Sequence, residues 1–219
     1  AKASSDAGVP VVAGDTKVVE RGKADGVFIT TTGVGVVPPG VDISGDRARP
    51  GDAILVSGTL GDHGVAVMSR RENLSFGTDI LSDTAALHGL VVAMVAVVPG
   101  IHCLRDPTRG GLATTLNELA RQSGVGIRIR EADIPVRPEV QAACELLGLD
   151  PLYVANEGKL IAICPPGDAE TLLAAMRAHP LGAQASLIGE VVADPHQFVQ
   201  MQTGLGGWRI VDWLAGEQL

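Results

Sequence analysis

The sequence predicts an α/β protein in which helices cover a sheet, and three observations point there. Apolar residues make up 46% of the 219-residue chain and the mean hydropathy is +0.25, enough to fill a substantial core and contrary to disorder. Aromatics are only 3%, whereas Val, Ala and Leu carry the apolar content and 28 glycines and 13 prolines supply breaks, which suits strands covered by helices. Short runs rich in Val and Ile alternate with segments of three-to-four periodicity.

Residues 1–8 read as the end of a helix closed by glycine. Residues 9–19 and 27–37 read as two strands of a hairpin joined through a turn at 20–26, the first arm being interrupted by Gly14-Asp15-Thr16-Lys17. Residues 38–50 read as a linker. From Gly51 the pattern restarts with a short buried strand at 53–56, and residues 58–64 lead into a helix ending at Arg71 that Asp62 can cap. Ser82 or Asp83 can cap the next helix, on which Leu87, Leu90, Val91, Met94, Val95 and Val98 share a face until Pro99-Gly100 ends it. His88 on that helix reads as structural.

Gly110 and Gly111 open a further helix with Leu112, Leu116 and Leu119 inward. Val125, Ile127 and Ile129 then alternate with Arg128 and Arg130 as a half-exposed strand. Helices over 140–147 and 169–178, strands over 160–164 and 186–192, and segments around Phe198 and Trp208 complete the series. The whole reads as a small leading fragment, residues 1–47, followed by a complete mixed α/β domain over residues 48–219.

A net charge of −8, from 17 basic and 25 acidic residues, leaves no basic stripe to neutralise a nucleic-acid backbone. Cys103, Cys144 and Cys164 are odd in number, widely spaced and without a Cys-x-x-Cys pair, so neither a disulfide framework nor a zinc knuckle is expected and a reducing cytoplasm fits best. The longest apolar run, residues 90–98, is far short of the roughly 20 residues that span a bilayer. No charged-then-apolar leader opens the chain, which begins Ala1-Lys2 without Met.

Three polar islands carry the chemistry. Burying a carboxylate or an ammonium among Val and Ile is costly unless it is paired or holds a metal, so Asp15 and Lys17 call for an explanation. Asp15 can hold Mg²⁺, the Thr16 hydroxyl can bind a metal-bound oxygen or water, and Lys17 can offset charge on a transferring phosphoryl group. A strand-end turn with a surface ion pair remains the plainer alternative. In Asp106-Pro107-Thr108-Arg109-Gly110-Gly111, the glycines let backbone approach a ligand and the following helix offers free N–H groups to an anion, with Arg109 supplying charge; the alternative is an ordinary helix cap at Asp106 or Thr108. Asn156-Glu157-Gly158-Lys159 interrupts an apolar run, and Glu157 is the general-base candidate unless the segment is a β-turn facing water. Residues 58–64 resemble a phosphate loop without the Lys-Ser/Thr ending, and read as a structural glycine turn as readily as a ligand loop.

Residues 14–19 (Gly-Asp-Thr-Lys-Val-Val), 56–64 (Val-Ser-Gly-Thr-Leu-Gly-Asp-His-Gly), 106–111, 144–150 (Cys-Glu-Leu-Leu-Gly-Leu-Asp) and 155–160 (Ala-Asn-Glu-Gly-Lys-Leu), in this order, closely resemble the HypE family of hydrogenase expression/formation proteins. Residues 179–182 and 187–192 add to the likeness, which covers essentially the whole chain. The family resembles aminoimidazole ribonucleotide synthetase, selenophosphate synthetase and thiamine-monophosphate kinase.

The resemblance implies an incomplete ferredoxin-like N-terminal domain, which binds ATP and pairs in a homodimer, followed by a mixed-sheet α/β C-terminal domain. It implies ATP-dependent dehydration of a thiocarbamate on a C-terminal cysteine to a thiocyanate, the cyanide source for the iron of [NiFe] hydrogenase. HypF-type carbamoyltransferase and HypC–HypD-type complexes would be the partners, and ATP and Mg²⁺ the cofactors. By the motif match, Lys17 and Glu157 would be catalytic, Asp15 and Thr16 would sit with Mg-ATP, and Asn156, Asp106, Arg109 and Gly110 would support the nucleotide. Family members end Pro-Arg-Ile-Cys, whereas this chain ends Gly216-Glu217-Gln218-Leu219, so the chain alone is expected to be inactive. The competing functions are a non-catalytic scaffold presenting a tail to maturation partners, and a related kinase or selenophosphate synthetase.

Overall fold

Ala53–Val56 (β1) is apolar at all four positions and buried throughout, and its alternate side chains feed two separate cores. The computed structural model describes residues 2–23, 26–73 and 80–213. Residues 216–219, on which the reading of the chain's ending rests, lie outside them. The chain divides into two units, Ala1–Val41 and Asp42–Leu219.

In the first unit a short helix, Lys2–Ala7 (α1), ends at Gly8 with φ +66°, as the glycine signal predicts. The expected hairpin is absent: among the described residues of 9–37 no strand pairing forms, and Val11, Val12, Val18, Phe28, Val34 and Val36 are exposed. The physical reason is that two strands with no third strand or helix against their apolar side chains are marginal in water. The β-branched pattern is a demand for a sheet that this unit does not itself supply.

The second unit carries a seven-stranded mixed sheet. With β2 Cys103–Arg105, β3 Gly126–Arg130, β4 Ile161–Cys164, β5 Ser186–Val192, β6 Val199–Gln202 and β7 Trp208–Ile210, the order is β2-β4-β1-β5-β3-β6-β7. All neighbours are antiparallel except β3 and β6. Ile54 and Val56 join Ile127, Ile129, Ile161 and Ile163 on one face, beneath Leu112, Leu116 and Leu119 of Gly111–Ser123 (α4). Leu55, Ala162 and Cys164 face the other way, onto Leu90 and Met94 of His88–Val97 (α3) and Leu172, Leu173 and Met176 of Ala169–Ala178 (α6). The period-two alternation of the strands thus becomes two helix-covered faces. Asp62–Arg71 (α2) and Pro138–Leu147 (α5) build a smaller cluster around Val65, Val140, Cys144 and Val154.

Several local expectations change. Asp62 is not a cap: Gly61, with φ +87°, precedes α2, and the Asp62 carboxylate is taken by Thr59 and Arg137. Ser82 and Asp83 do not cap α3, which starts at His88. Part of the expected linker is anchored, since the Ser44 amide donates to the His102 carbonyl at 3.0 Å and Ala48 lies in the core. Strand β2 has no signature in the sequence, because three residues are too few to show a run of alternation. No helix among the described residues is long and apolar enough to cross a membrane.

Candidate functional site

The first island lies in the first unit. Asp15, Thr16 and Lys17 are all exposed, and Asp15 Oδ1 accepts the Thr16 amide at 2.8 Å. The expectation that these charges are buried among Val and Ile does not hold within this chain, because the flanking valines are exposed too.

The second and third islands come together in the second unit, along with the glycine-rich residues 58–64. Their meeting point is Asn156, which is fully buried. Its Oδ1 accepts the Gly61 amide at 2.8 Å, and its Nδ2 donates to the carbonyls of Pro107 and Val154, each at 3.0 Å. Its own amide donates to the Pro107 carbonyl at 3.2 Å. A buried carboxamide with its oxygen and amino group both engaged is a joint between loops. The glycines serve the same closeness: a Cβ at Gly61 would sit 2.8 Å from Val140 Cγ1, and one at Gly111, where φ is +61°, would overlap the Leu152 carbonyl oxygen. The open backbone expected to receive a ligand at Gly111 is filled by protein backbone instead.

Glu157 follows this joint, and its carboxylate is half-exposed, with Oε1 3.9 Å from His63 Nε2. His63 Nδ1 in turn lies 2.8 Å from Ser82 Oγ. The Glu157 amide donates to Asp83 Oδ1 at 3.1 Å, and Lys159 Nζ donates to Asp83 Oδ2 at 2.9 Å. Lys159 does not face water: its side chain is 12% exposed and that of Asp83 is 5%. A hollow of about 250 Å³ opens beside this pair, lined among others by Ser57, Thr59, Gly158 and Gln184. Local sequence marks Asp83 only as a possible helix cap and gives His63 no role of its own. Nothing in local sequence links residue 83 to residues 157 and 159.

Asp106 is half-exposed, its carboxylate accepting from Arg105 Nη1 at 2.9 Å and Thr108 Oγ1 at 3.0 Å. Arg105 also reaches Glu118 at 3.0 Å. Arg109 is exposed and makes no salt bridge among the described residues, so its guanidinium is available to an anion. Gly110, with φ +70°, sets the left-handed turn into α4, and a Cβ there would overlap Thr114 Oγ1. The second island therefore supplies one available cation beside a helix start, while its other polar groups pair internally.

All three cysteines are buried, and desolvation pushes their thiols up, Cys103 and Cys144 to about 11 and Cys164 to about 12. None offers a thiolate near neutral pH. Among the described residues no three His, Cys, Asp or Glu side chains gather to hold a metal ion.

Known proteins give this arrangement a context. Residues 49–202 match the family model for the C-terminal domain of AIR synthase related proteins. The chain is 72% identical over its whole length to a carbamoyl dehydratase HypE of Azotobacter vinelandii, of which it spans 64%. It superposes with a TM-score of 0.88 on a hydrogenase maturation protein HypE solved in complex with ATP, at 47% identity and over 98% of this chain and 66% of that one. It superposes at 0.89 on a chain of a solved HypE–HypF complex, at 44% identity, covering 97% of this chain and 69% of that one. The chain belongs to the HypE family of hydrogenase maturation proteins, within the AIR synthase related fold.

Proposed function

We propose that the complete protein carrying this chain dehydrates a thiocarbamate on a cysteine to a thiocyanate, using ATP, and so prepares the cyanide ligand of [NiFe] hydrogenase iron. The observation that supports this reading best is the state of Glu157. Its backbone is held by a buried carboxylate while its own carboxylate stays half-exposed beside His63. That combination suits a proton acceptor.

An amide oxygen is a poor leaving group. Its attack on the γ-phosphorus of ATP forms a phosphorylated imidate and releases ADP, with loss of one N–H proton. Loss of the second N–H proton as the C–O bond breaks then gives the C≡N group and phosphate. Glu157 would take the nitrogen-bound proton, and the Lys17 ammonium would offset negative charge developing on the phosphoryl oxygens. The buried, unionised thiols of Cys103, Cys144 and Cys164 are unsuited to carry the carbamoyl group.

Asp15 and Thr16 would sit with the nucleotide, and Arg109 would meet one of its anionic groups. Magnesium is commonly held by one or two carboxylates, with nucleotide phosphates and water completing its shell. An exposed Asp15 with the Thr16 hydroxyl next in sequence fits that mode, and the ion would neutralise phosphate charge when bound. Asn156 and Asp106 would act in support, holding loops rather than touching the reacting atoms. The partners on this reading are a HypF-type carbamoyltransferase, as the related HypE–HypF complex suggests, a HypC–HypD-type iron carrier, and a second copy of the chain.

Glu157→Gln in the complete protein tests the assignment. It should abolish ATP-dependent thiocyanate formation while leaving ATP binding and transferase binding intact. Unaltered turnover would remove Glu157 from the chemistry, and a non-catalytic scaffold would then be the better account.

A further inference from the structure

We infer that Asp83 is a positioning residue for Glu157, a role that rests on the reading of Glu157 as the proton acceptor. The buried Asp83 carboxylate grips both sides of the turn: Oδ1 accepts the Glu157 amide at 3.1 Å and Oδ2 accepts Lys159 Nζ at 2.9 Å. Between these two residues, Gly158 lies so close to the Asp83 backbone that a Cβ there would overlap the Asp83 carbonyl oxygen. Asp83 therefore touches three consecutive residues of the island, 157, 158 and 159.

The preceding residue is fixed independently by the buried hydrogen bonds of Asn156. Glu157 is thus clamped at its backbone from two directions, while its side chain carries no hydrogen bond among the described residues and only the 3.9 Å approach to His63. The residue before Asp83 completes the arrangement, because Ser82 Oγ lies 2.8 Å from His63 Nδ1. Two adjacent residues, Ser82 and Asp83, set the imidazole and the carboxylate-bearing backbone on either side of one functional group. A reacting group needs such support, since small displacements of a catalytic group lower rate steeply.

The test uses the complete protein carrying this chain, with kcat and KM for ATP measured for thiocyanate formation alongside thermal stability. Asp83→Ala should lower kcat roughly 10- to 100-fold with KM for ATP unchanged. Asp83→Asn keeps an oxygen that can accept the Glu157 amide, and should recover most of the lost kcat. An Asp83→Ala enzyme that folds and keeps its kcat overturns the positioning role while leaving Glu157→Gln inactivation standing. A fully active Glu157→Gln enzyme overturns both readings together. Should Asp83→Ala fail to fold, amide hydrogen exchange decides: the Glu157 N–H should be protected in the unmodified protein, and exchange at the rate of a free amide overturns the proposal.

Discussion

The Gly61 amide donates to Asn156 Oδ1 at 2.8 Å, joining loops 95 residues apart in the chain. Through the same side chain the Pro107 carbonyl is drawn in, so one buried carboxamide holds three loops around the candidate site. Asn156→Ala leaves the Gly61 N–H and the Pro107 carbonyl buried with a partner lost. A loss of about 2–4 kcal/mol in unfolding free energy is expected, since an orphaned buried polar group costs about 1–3 kcal/mol. Urea denaturation measures it, and a change well under 1 kcal/mol would show that the loops hold together without this joint.

Gly111 begins α4 with φ +61°, and its missing side chain lets the helix start rest on the backbone of residues 152–154. Gly111→Ala adds left-handed strain to an overlap with a carbonyl oxygen that has nowhere to retreat. A destabilisation of about 2–4 kcal/mol is expected from the two effects together. The lowering of the thermal midpoint checks it. By contrast, Gly167→Ala meets no atom within 4 Å and has no positive φ, so it should leave the midpoint almost unchanged.

The cysteines predict both a reactivity and a pH dependence. Burial raises Cys103 and Cys144 to about 11 and Cys164 to about 12 from an ordinary value of 9.0. Native protein at pH 8 should therefore resist thiol reagents and label only after unfolding. Above pH 9 the unfolded thiols ionise while the folded ones keep their protons, so the unfolded state binds fewer protons and stability falls with rising pH. That loss should run from about pH 9 through pH 11–12, and disappear in proportion as the cysteines are replaced by Ala. Rapid labelling at pH 8 without unfolding would contradict their burial.

Much of the second unit was legible in residue order. Leu112, Leu116 and Leu119 recur at helical spacing and line the inward face of α4, and Ile127 and Ile129 alternate with Arg128 and Arg130 as strand β3 does in space. The hairpin expected in the first unit does not form, because runs rich in Val, Ile and Thr at residues 9–19 and 27–37 become strands only when something pairs with and buries them. The three islands were legible as polar interruptions, and Glu157 stood out among them. The partners of Glu157 did not stand out, since Asp83 reaches it across 74 residues and His63 looks like one scattered histidine among five.

Within the second unit, sequence by itself determined most of the segments that become helices and strands, where glycine must turn the chain, and which family the chain resembles. These are properties of neighbouring residues and ordered motifs, and periodicity records them directly. Only the tertiary structure decided that Asn156 is a joint between loops, that Lys159 is paired within the protein, and that Asp83 clamps Glu157 rather than capping a helix. A buried polar side chain takes whichever partner the fold brings to it, and hydrogen bonds formed across 49, 74 and 76 residues leave no mark on local spacing.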